Sequence, residues 1–277
     1  MVRYDYQYDD SMMPRDLKYV IYEKKDHVAY VTINRTEVRN ALHSGAYVEL
    51  QSIWRDIGLD PNIYVGIVTG AGKAFCAGRD VKFLAKYQAE GKLTPHEDPT
   101  SPIYHWGGGG QPKDVDLEKP LIAALNGFAV GVGLNIVLQC QLRVMAEDAW
   151  IGDQHTNVGR VGAPQELYNN LPRAVAAYLS LCNGRLTAQE CLQYGIVNRV
   201  VPQEKLISAA EELADMVCRS SPLAVQAIVR MYNLTRASQP HLTAYARHLD
   251  KEIAETEDGA EGARAFAEKR RPVWKLR

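Results

Sequence analysis

Two stretches of the chain share one arrangement, and it constrains the fold more than any other feature. IYVGIVTG (63–70) is a short unbroken apolar run that leads into AFCAGRDVKF (74–83), and PLIAALNG (120–127) leads into GFAVGVGLNIVLQC (127–140). A short run that is apolar at every position reads as a strand buried on both faces. Each run then turns through glycines toward a helix, where free N–H groups project and the dipole favours negative charge. Two such turns aimed at one point would form an oxyanion hole, which stabilises an enolate or a tetrahedral oxyanion. The pattern leaves two other readings open. Glycines beside buried strands also serve close packing and positive φ. A phosphate-cradling loop is the third, although G-x-x-x-x-G-K-[ST] is absent and GVG lacks the rest of G-x-G-x-x-G.

The chain has 277 residues, enough for one large domain or for a core with a helical appendage. Residues 1–16, rich in Tyr and Asp, read as an N-terminal arm and not as a targeting peptide. The α/β core is expected over 17–200. LKYVIYEKKDHVAYVTINR (17–35) alternates as two strands around the charged turn EKKD, and AYVELQSIWRDIGLD (46–60) has helical spacing that stops before Pro61. From Phe83 to Lys119 no period holds and Pro, Gly and acids dominate, so a long loop is expected. VGVGLNIVLQC (130–140) reads as a buried helix and LRVMAED (142–148) as a strand. Thr187 and Glu190 form a capping box for a helix ending at Gly195. Beyond residue 200 the segments 203–219, 222–236, 241–257 and 261–271 are amphipathic, so 201–277 is expected to be a helical region that covers the core or joins subunits.

Composition narrows the function classes. A net charge of -1, with 46% hydrophobic and 23% charged residues, is that of an ordinary globular protein. It offers no basic stripe for nucleic acid or anionic membrane. No polar-free run reaches the ~20 residues that span a bilayer. Five cysteines without a C-x-x-C pair read as reduced thiols in the cytoplasm, with Cys76 a packing residue. No spacing suggests a metal site or a Ser-His-Asp arrangement.

NRTEVRNAL (34–42), GAGKAFCAGRDVKF (70–83), KPLIAALNGFAVGVGLNIVLQC (119–140), LTAQECLQYGIVNRVVP (186–202), SPLAV and EGARAFAEKRRPVWK occur in that order. Together they resemble the crotonase, or enoyl-CoA hydratase/isomerase, superfamily from about Leu17 to the C-terminus. The resemblance implies a spiral of ββα units with a C-terminal helical trimerisation region, assembling as a homotrimer or a hexamer built as a dimer of trimers. It implies an acyl-CoA substrate, with coenzyme A entering as part of the thioester and no other cofactor. The thioester oxygen would be held by the backbone N–H groups of Arg79 and Val132. Val38, Ala41, Ala77 and Val81 would line the CoA path, and Lys269 would approach the CoA phosphates. The Arg79 guanidinium would meet a CoA phosphate or a substrate carboxylate, or stay solvated.

The chain departs from that pattern where family hydratases carry two glutamates. Asn135 and His155 stand at those positions, and the aspartate position of some isomerases and dehalogenases is Ala163. Gln141 follows Cys140 in place of the usual Asp, and Thr36 replaces the Pro of N-R-P. Two carboxylates suit hydration because one activates water while the other handles the Cα proton. Asn135 cannot titrate but can position water or substrate, whereas His155 can act as acid or base near neutral pH. Asp153 is expected to pair with His155. Glu166 could substitute as an acid, or cap or solvate the helix after Pro164. Tyr104 and His105 are further candidates, or belong to a mobile loop. Hydration or dehydration of an enoyl-CoA is the leading reading. Its alternatives are isomerisation, hydrolytic C–C or thioester cleavage of an unusual acyl-CoA such as a cyclic one, and a CoA-binding assembly protein without turnover.

Overall fold

The computed structural model describes residues 13–90, 110–115, 117–237 and 240–275. The expected hairpin is formed by β1 (Val20–Lys25) and β2 (Val28–Ile33), paired antiparallel from Val20 opposite Ile33 to Lys25 opposite Val28. The strands run through Lys25, so the turn is Asp26-His27 and not the whole of EKKD. Both turn residues have positive φ, as a two-residue hairpin loop that follows strand twist requires. The helix α1 (Ser44–Leu59) starts where His43 Nδ1 accepts the Ala46 N–H at 3.1 Å. It ends before Pro61, as its sequence predicts.

Three ββα steps follow. β3 (Val65–Gly70) and β4 (Ala74–Cys76) lead to α2 (Val81–Ala89); β5 (Leu121–Leu125) and β6 (Phe128–Val130) lead to α3 (Val132–Gln139). β7 (Leu142–Ala146) and β8 (Trp150–Gly152) lead to α4 (Pro164–Asn170) and α5 (Arg173–Leu181). β9 (Arg185–Thr187), α6 (Ala188–Gln193) and β10 (Arg199–Val201) close this part. The first strand of each step joins a six-stranded sheet of order β1-β2-β3-β5-β7-β10, and the second joins a four-stranded sheet of order β4-β6-β8-β9. Apart from β1/β2 and β8/β9, neighbouring strands are parallel. The helices α7 (Leu206–Cys218), α8 (Pro222–Ala237), α9 (Pro240–Ala254) and α10 (Glu257–Glu268) complete the chain.

The continuous apolar runs are explained by burial on two faces. Val65, Ile67, Ile122, Ala124 and Val144 pack on one side against Leu206, Ala210 and Leu213 of α7. Val68, Leu121, Ala123, Leu125 and Met145 join the main core with Leu50, Trp54 and Phe75 on the other.

Besides the hairpin turn, two expectations are corrected. The aperiodic stretch after Phe83 is helical as far as Ala89, because Asp80 Oδ1 accepts the Phe83 N–H at 3.1 Å and starts α2 there. The helix expected from Val130 begins at Val132, since Phe128–Val130 pairs with Ala74–Cys76 and with Trp150–Gly152 as a strand. Tyr104 and His105 lie outside the described residues.

Asn40 joins the units. It adopts positive φ, accepts the Arg35 N–H at 2.8 Å, and donates to the carbonyls of Ala71 (2.9 Å) and Ala74 (2.8 Å). The β2–α1 connection is thereby fixed to the turn before β4. Asn40→Ala removes three bonds worth about 0.5 to 1.5 kcal/mol each. It is expected to lower unfolding stability by about 1.5 to 4.5 kcal/mol, read by chemical denaturation.

Candidate active site

The short parallel strands β4, β6 and β8 end on the same edge of their sheet, the side where open α/β sheets place ligands. Each candidate group leaves one of these ends. Beyond β4, Leu42 donates to Gly78 O and accepts from the Asp80 N–H, both at 2.8 Å, so Leu42 and Arg79 form a parallel bridge. In such a bridge the facing residue turns its own N–H to the opposite side. No acceptor among the described residues takes the Arg79 N–H. The bend is held by Asp80, whose carboxylate pairs with Arg35 Nη2 at 3.1 Å while Arg35 also donates to Ala41 O.

Beyond β6, Gly131 has φ 55° and ψ −120°, open to glycine alone, and Val132 begins α3. The Val132 N–H is therefore among the helix donors without an intrahelical acceptor, at the positive end of the dipole. The two turns touch: a methyl on Gly78 would lie 3.0 Å from Val130 O and 3.8 Å from Gly131 Cα. One turn of helix further on is Asn135, buried, with its N–H on Gly131 O at 3.0 Å. Among the described residues no hydrogen-bond partner meets its carboxamide.

Beyond β8 come Asp153 and His155. Val130 faces Gly152 across the β6/β8 pairing, and the Gly131 N–H donates to Gly152 O at 3.3 Å, so this strand end lies beside the α3 start. His155 Nδ1 lies 2.7 Å from Asp153 Oδ1, the pairing expected from sequence. An ionised carboxylate only accepts, which places a ring proton on Nδ1 and turns Nε2 away from the pair. The Nε2–Cε1 edge faces Gly131, where a methyl would come within 3.7 and 3.6 Å of those atoms. The Asp153 side chain is 5% exposed and that of His155 20%, so the anchor is dry and the ring can be reached by water.

The remaining candidates divide. Val38, Ala41 and Ala77 are drawn toward Arg79 by Ala41 N–H to Val38 O (3.1 Å), Ala77 N–H to Arg39 O (3.0 Å) and the Leu42–Arg79 bridge, with Ala41 itself buried; Val81 opens α2 at the exposed surface there. Lys269 caps α10, and among the described residues no hydrogen bond or ion pair joins it to that surface. Glu166 neither caps α4 nor lies in solvent: it is buried and accepts from Lys113 Nζ at 2.8 Å, while the Lys113 N–H donates to Gln139 of α3. Cys76 is buried, and burial pushes its thiol up to about 12. Sequence reading passed over Arg35 and Asn40, although both lie in NRTEVRNAL. It also passed over Arg160 and Asp250, whose contact no local pattern signals.

The chain matches the enoyl-CoA hydratase/isomerase family over residues 23–277. It is 35% identical over 261 residues to the (E)-benzylidenesuccinyl-CoA hydratase of Thauera aromatica, covering 92% of this chain and 98% of that one. Carnitinyl-CoA dehydratase of Escherichia coli is 34% identical over 258 residues, with 89% and 94% covered. Among solved structures, carnitinyl-CoA hydratase from Mycobacterium avium superposes with a TM-score of 0.84 at 32% identity, covering 94% and 99%. The protein belongs to the enoyl-CoA hydratase/isomerase family and has its fold. It is an acyl-CoA enzyme of the hydratase type.

Two measurements check this geometry. A methyl at residue 162 would fall 2.4 Å from His155 Nδ1, and Gly162 has φ 71°. Gly162→Ala is therefore expected to displace the ring and to lower turnover by about a hundredfold, read by kinetics and by histidine-selective NMR. Iodoacetamide at mildly alkaline pH is expected to spare Cys76 in the native protein and to modify it in urea, read by peptide mass spectrometry.

Proposed function

We propose that the protein adds water across, or removes it from, the α,β bond of an acyl-CoA thioester, using the Asp153–His155 pair where family hydratases use glutamates. The observation that carries this reading is the 2.7 Å bond that orients His155 beside the first turn of α3.

The thioester oxygen lies between the N–H groups of Arg79 and Val132. As water adds to Cβ, charge moves onto that oxygen, and each fixed backbone donor stabilises it by about 2.7 to 4 kcal/mol. His155 Nε2 takes the proton of the attacking water, and Asp153 steadies the imidazolium that forms. The enolate then collapses as Nε2–H returns the proton to Cα, so one water is added and His155 is regenerated. A single ring can serve both steps because the proton it takes is the proton it gives. Asn135 orients the water or the acyl group through its carboxamide. CoA runs along Val38, Ala41, Ala77 and Val81, with Lys269 meeting its phosphates. Exposed apolar side chains on α8, including Leu223, Ile228, Met231 and Tyr232, support assembly as a trimer or hexamer.

The test is incubation with linear and cyclic enoyl-CoAs, (E)-benzylidenesuccinyl-CoA and carnitinyl-CoA in heavy-oxygen water, read by mass spectrometry. One labelled water gained with the thioester intact, or unlabelled water lost from carnitinyl-CoA, is the expected result. Labelled ring opening or acid release would make the protein a hydrolase, and binding without change would make it a CoA-binding protein. His155→Ala is expected to cost about 10²- to 10⁴-fold in turnover while CoA affinity is kept, with a smaller loss for Asp153→Asn.

A further inference from the structure

The strip that follows His155 has little regular structure of its own. It makes one 3-10 turn, Thr156–Val158, passes Gly159 with positive φ, and returns at Gly162 against the histidine ring. The N–H groups of Val158 and Arg160 both donate to His155 O, at 3.0 and 3.1 Å, so the backbone of His155 moves with the strip. Gly162 approaches the Nδ1 edge of the ring, the edge that pairs with Asp153. Any displacement of residues 160–162 therefore reaches the imidazole from both its backbone and its paired edge.

What holds the strip comes from the far end of the chain. Asp250 on α9 accepts the Val161 N–H at 2.8 Å and Arg160 Nε at 3.0 Å on one oxygen; its other oxygen takes Arg160 Nε at 3.1 Å and Nη2. A two-pronged guanidinium–carboxylate pair joined to a backbone N–H fixes direction as well as distance. α10 closes the other side by direct backbone contact, with a methyl on Gly262 placed only 2.5 Å from Val158 C and one on Gly159 3.0 Å from Gly259 Cα. Partial burial opposes ionisation of Asp250, but the Arg160 and Val161 donors overcome it and hold the carboxyl below its usual range.

We propose that Asp250 is a positioning residue for the reaction, a latch that sets the His155 ring through Arg160 and Val161. This rests on the role given to His155 above. Asp250 touches neither substrate nor the reacting atoms in that scheme; it acts by keeping Nε2 where the proton is transferred. The C-terminal helices thereby divide their work, α7 covering the core while α9 and α10 hold the strip.

The experiment compares Asp250→Ala, Asp250→Asn and His155→Ala with the wild type on the substrate that the heavy-oxygen panel identifies. Asp250→Ala is expected to lower kcat by about ten- to a hundredfold, the scale of a displacement near 1 Å, with KM unchanged. Asp250→Asn, which keeps the shape and an acceptor for the Val161 N–H, falls between Asp250→Ala and wild type. Combined with His155→Ala, Asp250→Ala adds no further loss, because the group it positions is gone. Hydrogen exchange of residues 156–162 should rise in Asp250→Ala, and the histidine-selective NMR signal of the Nδ1–Asp153 pair should broaden. An unchanged kcat, an equal loss in both backgrounds, or a strip as protected as in wild type would overturn the proposal. If the wild type turns over nothing while Asp250→Ala still loosens the strip and the pair, the positioning stands and the hydratase reading falls.

Discussion

The contact between Gly78 and the backbone at Val130 and Gly131 is the constraint on which the site depends. Two peptide segments separated by more than fifty residues meet there with no side chain between them. The surrounding structure reads as support for that meeting. The Leu42–Arg79 bridge aims one amide, the start of α3 frees the other, and the Arg35–Asp80 ion pair keeps the bend from relaxing. Backbone donors of this kind need no reorganisation when charge develops, which is why they suit the oxyanion of the proposed reaction.

In the proposed reaction the oxyanion is held by backbone, which would leave the proton chemistry to side chains that can change. Asn135 lies one helical turn into α3, and His155 has a carboxylate partner two residues away. An imidazole anchored on a buried carboxylate next to the helix start is suited to serve as the base of the proposed reaction. The arrangement also changes what must be held still. A ring aligned through a two-residue pairing depends on the course of its own loop, and that loop is clasped by α9 and α10.

Much of this was legible in the sequence, for identifiable reasons. The buried strands show as unbroken apolar runs because α7 covers the second face of the large sheet. The glycine turns, the Thr187–Glu190 capping box and the His155–Asp153 pair are local and stand in the sequence as written. The strands β4, β6, β8 and β9 are three residues long, too short for any period, and they appear only through their partners. Helix α2 hides among acids and prolines that follow it. Glu166 and Asp250 depend on Lys113 and Arg160, contacts of 53 and 90 residues that no spacing rule announces.

The most direct test is the vibrational spectrum of a saturated acyl-CoA carrying carbon-13 at the thioester carbonyl, measured free and bound. Two convergent N–H donors polarise that carbonyl, so its stretch should fall on binding, and the fall should persist in His155→Ala because the donors are backbone. A bound thioester whose carbonyl frequency equals that in water would mean that the amides of Arg79 and Val132 do not meet at the substrate oxygen.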